Sequence, residues 1–280
     1  MKMFKPSDLR AFLEECGVDA KKSLSQNFLI DGNIIQKILA TAAVAPGDEI
    51  LEIGPGPGAL TQALLEKGAK VTAVEMDPVF GHALERFQVA GRLHVIIQDF
   101  LKFPLQEYLK GKKCKVVANL PYHITTPILT QLLPLYPQIE SLTVMVQKEF
   151  AERMMAKTGT SDFSHLTLFL QFYSAVEGHF AVSRNCFYPR PKVDSTVVLC
   201  KLHPPLLENS ELFFQMTREA FSHRRKMLRA SLKEMYGSSH VEEALKKIGR
   251  SAQSRPEELS LNEFISLYDD LQSRTKSQEP

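Results

Sequence analysis

Three glycines in the spacing G-x-G-x-G follow an apolar run in Leu51-Glu-Ile-Gly-Pro-Gly-Pro-Gly-Ala-Leu60, and a second acidic strand end, Glu75-Met-Asp77, comes roughly twenty residues later. No other feature restricts the fold as much. A buried strand must run into a sharp loop and then a helix, and the next strand must end in a carboxylate at the ribose-acid position of dinucleotide folds. Together they predict a site for an adenosine-containing cofactor.

Glu49 to Ile53 has the length of a buried strand, and Leu60, Leu64 and Leu65 share one face of the helix that follows. Gly54, Gly56 and Gly58 lack a side chain where the backbone turns and a ligand approaches its amides. Pro55 and Pro57 fix φ and remove donors. Such a loop suits a zwitterion better than a pyrophosphate. The dinucleotide fingerprint is G-x-G-x-x-G, and here the third glycine comes one residue early, which favours S-adenosylmethionine over NAD.

Lys70 to Val74, Leu93 to Ile97 and Cys114 to Ala118 read as three further strands. They end in Glu75, in Gln98-Asp99-Phe100 and in Asn119-Leu-Pro-Tyr122. Ligands of open α/β sheets bind outside the carboxyl ends of strands, so these polar clusters converge on one crevice. Glu75 is placed to accept both ribose hydroxyls.

A chain of 280 residues, 44% hydrophobic, has room for one large domain and a smaller one. Alternating strand and helix patterns from about residue 30 to 150 predict a doubly wound, mostly parallel sheet. Leu166 to Val176 and Ser195 to Leu202 read as two more strands flanking Tyr188-Pro-Arg-Pro191. From about residue 204 helical spacing takes over, with Leu212, Phe213, Met216, Ala220 and Phe221 apolar. The expected fold is α/β, a Rossmann-like sheet over residues 1–203 with a small all-helical domain over residues 204–280. Four scattered cysteines indicate neither zinc nor a disulfide framework, and six histidines, His82, His94, His123, His165, His179 and His203, show no ligand spacing. No run approaches the ~18 apolar residues of a membrane span. The expectation is a cytoplasmic monomer without metal.

Asn119-Leu120-Pro121-Tyr122 carries the chemistry. The exocyclic amine of adenine is a poor nucleophile because its lone pair is delocalised into the ring. Two acceptors aimed at the amine protons, the Asn119 side-chain oxygen and the Leu120 carbonyl, help it pyramidalise toward an activated methyl group. Pro121 fixes the turn, and Tyr122 stacks on a base held outside its helix. Orientation and polarity matter more than a tuned base, and no histidine or carboxylate is needed as catalyst.

The ordered set Lys22-Ser-Leu-Ser-Gln-Asn-Phe-Leu29, Glu52-Ile-Gly-Pro-Gly56, Asn119-Leu-Pro-Tyr122, Val146-Gln-Lys-Glu149, Phe187-Tyr-Pro-Arg-Pro-Lys-Val-Asp-Ser195 and Phe221-Ser-His-Arg-Arg-Lys226 resembles the KsgA-like family, the small-subunit ribosomal RNA adenine dimethyltransferases, over nearly the whole chain. The resemblance implies that Asn27 and Leu29 close over S-adenosylmethionine and that Gly54, beside Gly56, lies against its methionine portion. It implies that Glu75 takes the ribose hydroxyls, Asp99 the cofactor's adenine amine, and that Asn119 sits between methyl donor and target base. Phe187 becomes a second aromatic wall opposite Tyr122. The implied substrate is a pair of adjacent adenosines in a hairpin loop near the 3′ end of 16S rRNA in the small ribosomal subunit. An assembly role accompanies it.

Two segments depart from the family pattern, Ser25 where a glycine is usual and Phe163-Ser164 where a Tyr-Gly pair is common. The related Erm methyltransferases, which act on large-subunit RNA, tend to carry Asn-Ile-Pro rather than Asn119-Leu120-Pro121. The alternatives are an Erm-type activity or a non-catalytic RNA-binding assembly factor on the same scaffold, and Asn119 to Tyr122 also resembles the amino-group motif of DNA adenine methyltransferases. A net charge of +2 is too small for indiscriminate RNA binding, so contacts rest on patches. Lys21 and Lys22 form one, and His223, Arg224, Arg225, Lys226 and Arg229 form another, expected on one or two helical turns beside Phe221.

Overall fold

Nine strands organise the chain in a computed structural model that describes residues 2–17, 27–223 and 225–276. They are β1 (Phe28–Leu29), β2 (Glu49–Ile53), β3 (Lys70–Glu75), β4 (Leu93–Ile97), β5 (Cys114–Asn119), β6 (Ile139–Gln147), β7 (Ser174–Val182), β8 (Phe187–Tyr188) and β9 (Ser195–Leu202). Seven form one sheet in the order β4-β3-β2-β5-β6-β9-β7, and β1 pairs with β8 in a separate ribbon. The pairs from β4 to β6 are parallel, whereas β9 runs antiparallel to both β6 and β7.

Burial follows from that order. Every residue of β2 and β3 after the first is buried, as expected of central parallel strands covered on both faces. Successive strands run outward from β2 to β4 on one side and from β5 to β6 on the other. The chain therefore reverses direction between β2 and β5, where a crevice opens beyond the strand ends. The glycine loop leaves β2 at that point and Asn119 ends β5.

Caps at two helices fix the surrounding elements. Asp31 accepts the amides of Asn33 and Ile34 at the start of Gly32–Thr41, and Asp77 accepts that of Val79 at the start of Pro78–Leu84, with Pro78 in the first turn. Gly58 precedes the helix Ala59–Glu66 at φ +90°, and a Cβ there would lie 2.6 Å from both Leu84 Cδ2 and Phe87 Cε2. Glycine is required here for backbone conformation and for space.

The chain divides into two compact units. The first comprises Met1–Ala151 and Ser174–Pro204, the second Glu152–Tyr173 and Pro205–Pro280. The sequence-based division at 203/204 thus omits residues 152–173 from the helical part. The strand expected at Leu166 to Val176 is also corrected: His165–Tyr173 is helical, and β7 begins only at Ser174. A short apolar run has no decisive period of its own. Aromatic packing settles it, because Phe169, Phe172 and Tyr173 recur at helical spacing and all pack against Phe214, Phe172 also stacking on Phe213 at 5.4 Å. In Glu211–Ser222 the buried face includes Phe213, Met216, Ala220 and Phe221, while Leu212 points outward at 45% exposure.

Gly58→Ala is expected to cost about 2–4 kcal/mol through strain plus crowding, and Gly111→Ala, at φ +74° but facing open space, about 1 kcal/mol. Urea unfolding midpoints of the two variants check the difference.

Candidate active site

The glycine loop and the acidic end of β3 are tied together through the backbone. Gly56 donates its N–H to Glu75 Oε2 and Asp77 donates to Glu75 Oε1, both at 2.9 Å. Gly54 extends the sheet by donating to the Val74 carbonyl at 2.9 Å. A Cβ on Gly56 would stand 3.1 Å from the Phe28 ring, so this glycine lets β1 close against the loop. Burial raises the Glu75 pKa, and the amides of Asp77 and Gly56 oppose that shift. The carboxylate, which the Met76 amide also contacts, keeps acceptor capacity for a ligand hydroxyl.

A cavity of about 250 Å³ lies over these strand ends. Asn27, Leu29, Gly54, Gly56, Glu75, Asp99, Asn119, Leu120, Pro121 and Tyr122 all line it. Asp99 closes β4 and accepts the Leu101 amide through Oδ1 at 3.0 Å.

Asn119 is oriented through its amide, donating from Nδ2 to the Asn27 carbonyl at 3.2 Å. That bond fixes which end of the amide is the donor and leaves Oδ1 as the acceptor. The turn after it is braced by Thr125, whose hydroxyl donates to the carbonyls of Pro121 at 3.2 Å and Tyr122 at 3.3 Å. The Tyr122 hydroxyl is hydrogen-bonded to Ser195 Oγ at 2.8 Å, and burial pushes its pKa up, keeping the phenol neutral.

Phe187 is placed differently from the expectation. It is 3% exposed, packs in the core and is not among the residues lining the cavity. Its strand partner is Leu29, and residues directly opposite in an antiparallel pair share a face, so Phe187 stands beside Leu29. The basic patch near residue 225 is also corrected. The helix ends at Ser222, His223, Arg225 and Lys226 are exposed beyond it, and Arg229 sits in the short helix Leu228–Ser231, 3.5 Å from Glu242. Lys21, Lys22, Ser25 and Arg224 lie outside the described residues.

Three site residues are not evident from the sequence. Glu52 lines the cavity while 1% exposed, and Thr61 donates its hydroxyl to Oε2 at 2.7 Å. Burial pushes its pKa up to about 8, and the neighbouring Glu75 adds to the shift. Its signal is an acidic side chain at an inner position of an apolar strand. Met76 lines the cavity at 51% exposure. Ser195 is fully buried and carries no signal beyond closing a motif.

Among the described residues, the lining includes Glu52, Glu75, Asp77 and Asp99 but no Lys or Arg. A polyphosphate would meet carboxyl groups with no cation to balance it, whereas a sulfonium and an ammonium suit those walls. S-adenosylmethionine therefore fits a cavity lined by Glu75 and Asp99.

The model of the ribosomal RNA adenine dimethylase family matches residues 17–272. The chain belongs to that family. It is 52% identical over 280 residues to Ribosomal RNA small subunit methyltransferase A of Protochlamydia amoebophila (strain UWE25), covering 98% of this chain and 99% of that protein. The protein of the same name from Chlamydia muridarum (strain MoPn / Nigg) is 47% identical over 268 residues, covering 93% and 95%. Among solved structures, a dimethyladenosine transferase from Plasmodium falciparum aligns with TM-score 0.78 at 28% identity, over 89% of this chain and 98% of that one. The 23S rRNA methyltransferase ErmE aligns with TM-score 0.68 at 30% identity, over 88% and 100%. The fold is accordingly the Rossmann-like class I methyltransferase sheet with a helical C-terminal part. Among the described residues no helix is long and apolar enough to cross a membrane, and no His, Cys, Asp and Glu group is arranged to hold a metal.

Two predictions test this geometry. The Glu52 carboxyl has a folded-state pKa near 8 against an ordinary 4.5, so its stabilising effect is complete below pH 4.5 and is lost as pH rises through 8. In the ligand-free protein, Glu52→Gln should flatten that decline in thermal midpoints measured between pH 5 and 9. Separately, Ser195→Ala and Tyr122→Phe should each lower kcat for methyl transfer about fivefold, the net worth of one hydrogen bond. The double variant should be no slower than either alone, and strictly additive losses would exclude the coupling.

Proposed function

We propose that this chain transfers methyl groups from S-adenosylmethionine to the N6-amines of two adjacent adenosines in the 3′-terminal hairpin loop of 16S rRNA, dimethylating each. It does so on the small ribosomal subunit during ribosome biogenesis. The observation that carries the reading is the Asn119 amide, fixed by the Asn27 carbonyl beside a carboxyl-lined cavity without cations among the described residues.

Bound S-adenosylmethionine supplies an electrophilic methyl group on a sulfonium. Asn119 Oδ1 and the Leu120 carbonyl accept hydrogen bonds from the amine N–H groups, turning the nitrogen lone pair out of conjugation and toward the methyl carbon. Tyr122, its hydroxyl held by Ser195, presents a fixed ring for the extruded base to stack on. We assign Phe187 to the wall behind Leu29, its strand partner. Pre-set hydrogen-bond acceptors do the work here, and the amine nitrogen, made acidic by gaining the methyl group, releases one proton to water.

His223, Arg225 and Lys226, exposed beyond the helix end, suit phosphate contacts, and Arg229 shares its charge with Glu242. We add Lys21, Lys22 and Arg224 to this set from sequence. The described cysteines are all free, which accords with a reducing cytoplasm, and we infer a monomer. The relatives with the small-subunit name are 52% and 47% identical, against 30% for ErmE, and Leu120 departs from the Erm-type Asn-Ile-Pro, which favours the small-subunit substrate.

Labelled S-adenosylmethionine should methylate unmethylated small subunits, with dimethyladenosine found on nucleoside analysis. Label on protein-free large-subunit RNA instead would move the chain to the Erm activity. Asn119→Ala should lower turnover at least a hundredfold, a loss of about 3 kcal/mol, while particle binding in sedimentation assays persists. Unchanged methylation by that variant would remove Asn119 from the catalytic role.

A further inference from the structure

We propose that Tyr188, together with Arg10, Arg190 and Lys192, forms a second RNA-contact surface on the first compact unit, a stacking platform for a nucleotide flanking the target adenosine. The inference rests on the proposed RNA substrate and extends it to residues that lie outside both basic patches read from sequence.

The strand register places the platform. In the β1–β8 ribbon Phe28 is paired with Tyr188, so the two rings share a face of that ribbon. Phe28 lines the cavity at 8% exposure, whereas Tyr188 is 38% exposed. The aromatic face that begins in the cavity wall thus continues outward, one strand spacing of about 5 Å away, to a ring open to solvent. The residue before Phe28 is Asn27, whose carbonyl orients Asn119. Platform and reacting amide are therefore held by the same short ribbon.

The Arg10 guanidinium lies 5.7 Å from the Tyr188 ring centroid, within cation–π range. One face of the ring is occupied by a cation that is also available to a phosphate, and a base can stack on what is left. Single-stranded RNA is bound by this combination of aromatic faces and neighbouring cations.

The loop around the ring has the charge for such a partner. Residues 183–194 carry three cations, Arg184, Arg190 and Lys192, against one carboxylate, Asp194. Asp194 Oδ1 accepts the Arg184 amide at 2.9 Å, and the Arg184 guanidinium donates to the Lys192 carbonyl at 3.1 Å. These bonds brace the loop on itself and leave the heads of Arg190 and Lys192 exposed. An exposed tyrosine between positive side chains, on the ribbon that lines the catalytic cavity, matches a polyanion with stacked bases.

The test uses full-length protein and unmethylated small subunits, with KM measured across a salt series and S-adenosylmethionine affinity measured by calorimetry. Tyr188→Ala should raise KM for the particle about tenfold with cofactor affinity preserved, and Tyr188→Phe should restore most of the loss. Arg190→Glu with Lys192→Glu should raise KM and reduce the dependence of log KM on log salt by about one unit for each phosphate that is no longer neutralised. This second variant keeps the proposal falsifiable if Tyr188→Ala does not fold. Wild-type KM and salt slope in the charge variant would overturn the platform alone. A wild-type protein that leaves small subunits unlabelled would overturn the proposed function and the platform with it.

Discussion

One buried carboxylate holds the catalytic crevice in shape. Glu75 receives the amide of Gly56 on one oxygen and that of Asp77 on the other, joining the loop after β2 to the turn after β3. Without those bonds the glycine loop would have no fixed distance from the acidic end of β3. The burial that makes this anchor strong also raises its pKa, and with Glu52 beside it the wall holds two carboxyl groups that resist ionising together. A ligand carrying positive charge relieves the conflict, which ties the choice of cofactor to the packing of the sheet.

Strand direction accounts for the next layer of the site. Parallel strands present their carboxyl ends to the crevice, and β5 accordingly delivers Asn119 there. Because β9 is antiparallel to β6, its beginning lies at that same edge, with Ser195 registered against Gln147. A residue at the start of the last strand can thereby hold Tyr122 across 73 positions of sequence. The strand pairing that reverses direction next to the parallel set thus fixes the Tyr122 ring at the cavity.

Local patterns make much of this legible in the sequence. The four parallel strands from β2 to β5 are bounded by turn residues and apolar runs, and their polar ends name Glu75, Asp99 and Asn119 directly. Glu52 shows only as an acid inside an apolar strand and Ser195 not at all, since their roles depend on which strand lies beside them and in which direction. The same limit explains Phe187: its motif identifies an aromatic pair, but strand register decides which of Phe187 and Tyr188 shares the Phe28 face. The helix His165–Tyr173 reads as a strand in isolation because its partners, Phe213 and Phe214, lie about forty residues downstream and leave no local trace.

The loop Gly54 to Gly58 alternates three glycines, all at positive φ, with Pro55 and Pro57. Glycine alone would make such a segment entropically loose before a ligand arrives, while proline narrows the conformations open to it in the unfolded chain. The two prolines and the Glu75 bond therefore complete the ordering of the loop when the protein folds. A cofactor entering the cavity meets a surface already shaped to it, so little of its binding free energy is lost in immobilising the backbone, and its affinity depends on contacts more than on induced order.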